Sequence, residues 1–240
     1  MKETYKSYLK EISAFIPRER IYTDEMRRLA WGTDASFYRL VPQIVVRSKT
    51  EEEVSRLLSA ARRRRLPVTF RAAGTSLSGQ SLSDSILIVA GKNWENYKIS
   101  ADALTITMQP GIIGERVNQL LKPFGRIFTP DPASKNAAME GGIVVNNASG
   151  MNCGTHANSD RQLVSARIIL PDGTILDTGD AESKDAFRKS HPDFISGIEA
   201  IRDEVNADKE LADRIRYKYS IKNVTGLNIL PFVLFTDPFD

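Results

Sequence analysis

Two stretches of this chain are nearly free of side chains, and each interrupts otherwise ordinary helix and strand patterning. The first, Arg71-Ala-Ala-Gly-Thr-Ser-Leu-Ser-Gly-Gln-Ser81, has seven Gly, Ala or Ser among eleven residues and directly follows the strand-like Pro67-Val-Thr-Phe70. The second runs from Ala133 to Gly154, with ten such residues in twenty-two, and contains Glu140-Gly-Gly-Ile-Val-Val-Asn-Asn-Ala-Ser-Gly-Met151. Small side chains let backbone N–H groups converge on an anion, and glycine adopts positive φ without a steric penalty. Thr75, Ser76, Ser78, Asn146, Asn147 and Ser149 add neutral donors, while Arg71 and Lys135 are the only cations in the two windows. An anion held there is gripped by oriented dipoles more than by charge, a description that fits a pyrophosphate. A tight turn is the plainer reading of either loop taken alone. Neither matches G-x-G-x-x-G or G-x-x-x-x-G-K-[ST], so the nicotinamide and nucleoside-triphosphate readings lose their usual support.

The surroundings of the first loop read as α/β structure. Residues 3–30 pattern as helical, with Leu9, Ile12, Phe15 and Ile16 on one face and a second short helix after a Thr23 cap. Pro42 to Arg47 reads as a buried strand. Thr50-Glu-Glu-Glu53 has the form of a capping box and opens a helix through Val54, Leu57, Leu58 and Ala61 that ends near Arg65. Strand, helix and strand over residues 43–70 make a βαβ unit, which implies parallel pairing. Ser85–Val89 and Leu104–Met108 supply further strands, and Gly114–Leu121 a helix with Val117, Leu120 and Leu121 inward. Pro171-Asp-Gly173 is the turn of a hairpin between 164–170 and 174–177. Residues 183–218 read as charged helices with a solvated face. The apolar run Leu227–Phe235 lacks visible partners.

Taken in order and spacing, five segments resemble a known family: the Arg71–Ser81 loop, Phe128-Thr-Pro-Asp-Pro-Ala-Ser134, Gly141-Gly142, Asn146-Asn-Ala-Ser-Gly150 and Leu170-Pro-Asp-Gly173. Together they are similar to the FAD-binding (PCMH-type) domain of the vanillyl-alcohol oxidase superfamily. Within it they resemble the D-lactate dehydrogenase, glycolate oxidase and D-2-hydroxyglutarate dehydrogenase group. The Asn-Asn-Ala-Ser-Gly-Met form and Lys222-Asn-Val-Thr-Gly226 resemble large bacterial members that carry an additional iron–sulfur region.

The resemblance implies an α+β fold of two α+β subdomains with FAD between them. It divides the chain into an N-terminal helical segment, 1–40, and an FAD-binding domain, 41–240, made of subdomains 41–110 and 111–240. It assigns the pyrophosphate to Arg71, Ala72, Ala73, Gly74, Thr75 and Ser76, with Ser78 and Gly79 closing the turn. Pro130, Asp131 and Ser134 are expected beside the flavin, and Gly141, Gly142, Asn146, Ala148, Ser149 and Gly150 along its second side. Some relatives attach the flavin covalently through a His in the first loop; Thr75 stands at that place here, so attachment is expected to be non-covalent. Cys153 is expected to pack rather than react.

The family's FAD domain continues past the Lys-Asn-x-x-Gly segment into a Gly-Ser-Glu-Gly-Thr-type loop, followed by a substrate-binding cap with a His/Glu cluster, and none of these appears before Asp240. The expectation is a truncated, N-terminal portion of a flavin-dependent oxidoreductase of D-2-hydroxy acids, inactive alone, with any iron–sulfur cluster and the substrate site in the absent region. The alternative is a non-catalytic FAD-binding subunit that needs a separate cap or partner chain. An alcohol or amino-sugar-precursor oxidoreductase sharing only the FAD domain is a third reading, which the Phe-Thr-Pro-Asp-Pro-Ala-Ser and Asn-Asn-Ala-Ser-Gly strings oppose.

Composition narrows the remaining classes. A net charge of +3 on 240 residues is no argument for nucleic acid, and Arg62-Arg-Arg-Arg65 falls at a helix C-terminus, where cations complement the dipole. One cysteine excludes an internal disulfide, and two histidines leave little for a metal site. His191, just before Pro192, is expected to cap a helix or lie on the surface. No apolar stretch approaches a membrane span and no export signal opens the chain, so the expected location is cytoplasmic, or membrane-peripheral in a full-length protein.

Overall fold

The computed structural model describes residues 2–223 and 225–240; Val224, inside the Lys222–Gly226 motif, lies outside the described residues. Helix α1 (Glu3–Ile12) buries Tyr8 and Ile12 and is followed by a single 3-10 turn, Arg18–Arg20. Residues 3–30 are not one helical stretch. Pro17 cannot continue a helix, and Ile21–Tyr22 emerge beyond it as strand β1. Helix α2 (Glu25–Ala30) is capped by Asp24, whose carboxylate accepts the Arg27 N–H at 3.0 Å, and not by Thr23.

The core is a four-stranded sheet of β1, β2 (Ile44–Arg47), β3 (Val68–Arg71) and β4 (Ile86–Val89), in the order β1-β2-β4-β3. Strands β2, β4 and β3 are parallel, and β1 is antiparallel to β2. The βαβ unit read from 43–70 is present, but β4 lies between its two strands. The all-apolar Ile86-Leu-Ile-Val89 is buried on both faces, as a central parallel strand requires. Helix α3 (Glu51–Arg63) crosses over between β2 and β3 and stops two residues short of Arg65, which adopts positive φ. Its cap follows the sequence: Thr50 Oγ1 accepts the Glu53 N–H at 3.2 Å. The Glu53 carboxylate accepts from the Lys49 N–H at 2.7 Å and forms a two-point pair with Arg20 at 2.6 and 2.8 Å, tying the 3-10 turn to α3. Val54, Leu57 and Ala61 of α3, Tyr8 and Ile12 of α1 and Ile44, Ile86 and Ile88 of the sheet form the main core.

Strand β5 (Tyr97–Ile99) is only three residues long, too short for its alternation to stand out in the sequence, and it pairs antiparallel with β6 (Ile106–Met108). Helix α4 (Gly114–Leu121) packs Val117 and Leu121 onto Ile112, with Leu120 only partly buried. Two short helices follow, α5 (Glu140–Val145) and α6 (Ser159–Gln162). The hairpin forms as β7 (Arg167–Ile169) and β8 (Ile175–Asp177). Three charged helices come next, α7 (Ala181–Ser190), α8 (Pro192–Ala207) and α9 (Lys209–Ser220). In the apolar run near the end, Pro231–Leu234 make a single-turn helix, α10, and Leu230 is buried while Leu227 is 88% exposed. Among the described residues, no helix is long and apolar enough to cross a membrane.

The hairpin turn docks onto α3. Ser55 and Ser59 donate to the carbonyls of Gly173 and Asp172 at 2.5 and 2.6 Å, and Arg167 pairs with Glu51 at 2.8 Å. Arg62 approaches Asp172 at 3.6 Å, while Arg63 and Arg64 pair with Glu11, so three of the four consecutive arginines face acidic groups of the same chain. His191 occupies the α8 N-cap position without making a side-chain cap bond. Its ring stacks on Phe187 at 4.4 Å and its Nε2 lies 2.8 Å from Asp172 Oδ2, so it joins the α7–α8 junction to the hairpin turn.

Gly173 has φ of 93°, and a Cβ there would lie 2.3 Å from Ser59 Oγ and 2.7 Å from the Ser55 carbonyl. Gly173→Ala should cost about 2–3 kcal/mol of unfolding free energy by denaturant titration, through backbone strain and displacement of the turn from α3. Burial alone would raise the Asp172 carboxyl, but hydrogen bonds from His191 and from the Thr174 amide and hydroxyl outweigh it and hold it at about 2. A depressed carboxyl stabilises the fold above its ordinary pKa of 3.8, and that contribution is lost as pH falls towards 2. Unfolding free energy measured between pH 5 and pH 2 should therefore decline less steeply in Asp172→Asn than in the parent.

Candidate functional site

The C-terminal ends of the three parallel strands are level, because Arg47 and Arg71 both stand in register with Val89. Ligands of open parallel sheets gather outside these ends. The first small-residue loop leaves from there. The Arg71 carbonyl accepts the Ala90 N–H at 2.8 Å, the last backbone bond between the β3 and β4 segments. From Ala72 to Leu77 the backbone N–H groups find no acceptor among the described residues, although Ala72 to Ser76 are only partly exposed. Six successive amides without a protein partner are unusual for a loop held this closely.

The loop is rigidly built. Arg71 folds beneath it: Nη1 donates to the carbonyls of Thr33 at 2.6 Å and Trp31 at 3.3 Å, and the guanidinium lies over the Trp31 ring at 5.1 Å. Its Nε is buried without an acceptor, and burial lowers its pKa against the opposing field of Asp34. Gly74, at φ 75°, sits on the guanidinium so closely that a Cβ would lie 2.6 Å from Nε, and its carbonyl accepts the Ala35 N–H. Asp34 accepts from the Ser36 N–H and from Ser81 Oγ, at 2.8 and 2.9 Å. Ser76 Oγ accepts the Ser78 N–H and donates to Gln80. Gly79 is also at positive φ, with the Tyr38 ring 3.0 Å from where its Cβ would be.

Trp31, Asp34, Tyr38 and Gln80 therefore belong to the site, and sequence reasoning missed all four. The first three lie among charged and aromatic residues with no periodicity, and only their direct contacts with residues 71–81 mark them. Gln80 reaches across to the second stretch, where its Nε2 lies 3.5 Å from Asn146 Oδ1. The two small-residue segments thus meet.

The second stretch is constructed differently. Gly141 donates to the Pro110 carbonyl, Gly142 to Met139, Asn146 to Gly142 and Ala148 to Ile143, so these four amides are engaged inside the fold. The expectation that small residues of this stretch offer their N–H groups to an anion is corrected at Gly141 and Gly142: both lie in the first turn of α5, and their N–H groups are taken by Pro110 and Met139. Ser149 and Gly150 keep N–H groups without an acceptor among the described residues. Pro130 is buried, Asp131 and Ser134 are partly exposed, and Asp131 N–H donates to the Ser149 carbonyl at 2.6 Å. This bridge brings the Pro130–Ser134 segment against Ser149–Gly150. Hydrogen bonds from Lys135 Nζ at 2.7 Å and Asn152 Nδ2 at 2.9 Å hold the Asp131 carboxyl below its ordinary range. Cys153 is buried, with Sγ directed at the Thr129 and Ser149 carbonyls, which places it in the packing beneath the loop.

Glu140 is the unexpected member. It is 2% exposed, neither carboxyl oxygen has a hydrogen-bond partner among the described residues, and burial pushes its pKa up to about 7. Sequence alone marks it only as the acidic residue at a helix start. No group of three or more His, Cys, Asp or Glu among the described residues could hold a metal ion.

Comparison with known proteins gives the site its context. Residues 42–179 match the model of the FAD binding domain family. D-2-hydroxyglutarate dehydrogenase of Haemophilus influenzae is 26% identical over 220 residues, covering 85% of this chain and 21% of that protein. Glycolate oxidase subunit GlcD of Escherichia coli is 32% identical over 164 residues, covering 67% of this chain and 33% of that protein. The chain thus spans a fifth to a third of the length of these curated relatives. Among solved structures, alkyldihydroxyacetonephosphate synthase superposes with a TM-score of 0.61 at 19% identity, covering 74% of this chain and 37% of that one. p-Cresol methylhydroxylase superposes with a TM-score of 0.61 at 11% identity, covering 74% and 36%. These superpositions bear out the α+β, PCMH-type architecture implied by the sequence motifs.

The glycines of the second stretch separate by their surroundings. Gly150 has φ of 94° and a Cβ would fall 1.8 Å from the Asp131 carbonyl oxygen, whereas Gly142 is helical with nothing within 4 Å. Gly150→Ala should lower stability by about 2–4 kcal/mol. Gly142→Ala should be neutral, or stabilising by up to about 1 kcal/mol through helix propensity. Thermal unfolding of the two variants side by side checks the contrast.

Proposed function

The chain belongs to the FAD binding domain family, and from that premise we propose that its two small-residue segments hold FAD non-covalently from opposite sides. The observation that carries this reading is the run of acceptor-free N–H groups from Ala72 to Leu77 at the level ends of three parallel strands. Ala72, Ala73, Gly74, Thr75 and Ser76 present their amides to the pyrophosphate, and Ser78 and Gly79 close the turn. Arg71 acts from below, lending a positive field while its guanidinium stays bonded to the Trp31 and Thr33 carbonyls. Thr75 offers no imidazole for covalent attachment.

On the second side, Ser149 and Gly150 contribute N–H groups. Gly141, Gly142, Asn146 and Ala148 contribute surface, with the Asn146 amide as a polar handle beside Gln80. Pro130, Asp131 and Ser134 flank the flavin. The positive φ of Gly74 and Gly79 and their crowded Cβ positions fit a loop shaped for close approach of a ligand to backbone.

FAD, when bound, supplies acceptance of a hydride from a substrate C–H bond. Similarity to D-2-hydroxyglutarate dehydrogenase and glycolate oxidase supports a D-2-hydroxy acid as that substrate, oxidised to the 2-oxo acid in the protein that carries this domain. For these 240 residues alone the proposal is cofactor binding without turnover. Binding, orientation and exclusion of water around the cofactor are the roles of the residues named above, and the base that takes the hydroxyl proton is not among them.

Purified protein mixed with FAD and passed over gel filtration should retain a flavin absorbance band that acid or denaturant releases. Saturating FAD at about 100 times its dissociation constant should add about 2.7 kcal/mol of unfolding free energy. Gly142→Ala, which leaves the fold intact, should weaken FAD binding about tenfold if the flavin lies against α5. Retention of no flavin and no stabilisation by FAD would refute the assignment. Turnover of D-lactate, glycolate or D-2-hydroxyglutarate with a dye acceptor should stay at the flavin-free blank.

A further inference from the structure

Glu140 lies at a seam between two chain segments. Residues 110–115 run past residues 135–141, and four backbone bonds lace them together: Glu140 N–H to Ile112, Gly141 to Pro110, Gly114 to Ala138 and Glu115 to Lys135, at 2.8 to 3.1 Å. An isolated bridge pairs Ile113 with Met139. The Glu140 carboxyl is enclosed within this seam, where its Oε1 would lie 3.4 Å from a Cβ on Gly114. Apolar Ile112 and Ile143, each 2% exposed, sit on the adjoining segments. Neither oxygen has a donor among the described residues.

The charged groups of the segments packed against it offer no counter-ion. Glu115, in the first turn of α4, has the same sign, and Lys135 is paired with Asp131 at 2.7 Å. Arg116 points outward from α4 as an exposed residue. A buried carboxylate without a donor or counter-ion is strongly disfavoured, so this site accepts the neutral acid and resists the anion.

We propose that Glu140 is a proton-linked positioning residue, which as the neutral acid keeps the seam between the starts of α4 and α5 closed and as the carboxylate opens it, loosening the second side of the FAD cradle. The coupling is short: Gly141 and Gly142 follow Glu140 directly, and the Gly141 N–H is itself one of the four seam bonds. This inference rests on the FAD-binding reading for its functional consequence, though not for the opening of the seam.

The sign follows from burial. The acid titrates at about 7 in the folded chain against an ordinary 4.5, so its stabilising effect is fully present below 4.5 and is lost as pH rises through 7. FAD affinity of the parent protein should therefore fall about tenfold between pH 6 and pH 8.5. Glu140→Gln and the apolar, similarly sized Glu140→Met should change by less than about twofold over the same range. Equal pH dependence in parent and variants overturns the proposal.

Amide hydrogen exchange of the FAD-free chain provides the independent arm. After correction for intrinsic exchange rates, protection of Gly114, Glu115, Glu140 and Gly141 should drop above pH 7 in the parent and hold in Glu140→Gln. Protection that is unchanged across pH in the parent overturns the seam mechanism even if FAD binds. Seam opening without FAD binding at any pH upholds the switch and refutes the cofactor assignment instead.

Discussion

Two runs of backbone N–H groups without an acceptor among the described residues, Ala72–Leu77 and Ser149–Thr155, frame the site. Where β3 ends, its carbonyl still pairs with the β4 segment, but the next six N–H groups find no acceptor among the described residues. Such groups are tolerated only where solvent or a ligand completes them. The second segment engages the amides around α5 within the fold, and among the described residues the N–H groups from Ser149 to Thr155 likewise find no acceptor. A grip on a diphosphate built this way has backbone dipoles on both sides, with the α5 surface added on the second.

Two sides that act together need a rigid joint, and the hairpin turn supplies it. Ser55 and Ser59 bond two successive carbonyls of the Pro-Asp-Gly turn, while Arg167 reaches Glu51 and Asp172 gathers His191 and Arg62. These contacts connect the parallel sheet's crossover helix to the β7–β8 hairpin and the α7–α8 junction. A two-stranded sheet has little stability alone. Docking onto α3 gives the hairpin its place and keeps the chain on both sides of the site in a fixed relation.

Much of this was legible along the chain because the governing signals are local. Thr50 with Glu53 announces α3, Ile86-Leu-Ile-Val89 announces a strand buried on both faces, and Pro171-Asp-Gly173 announces a hairpin. The first loop was equally visible, since only small residues allow its backbone to be approached closely. What escaped were features whose cause lies far away in sequence. Strand β1 exists because Ile21 and Tyr22 find β2, the β3–β2 pair is split by β4, and Trp31, Asp34 and Tyr38 matter only through their contacts with residues 71–81. The His191 ring serves a distant aspartate and not the helix it precedes.

The amino-acid order by itself determined α3, α4 and the charged helices near the end, the parallel character of the sheet, the family and the positions of the two small-residue segments, because periodicity, caps and glycine placement act over a few residues. Only the tertiary structure decided which amides of those loops remain available and that Glu140, polar in sequence, is enclosed without a partner. Hydrogen-bond satisfaction and desolvation depend on what the rest of the chain brings to an atom, and that is settled only when the segments pack.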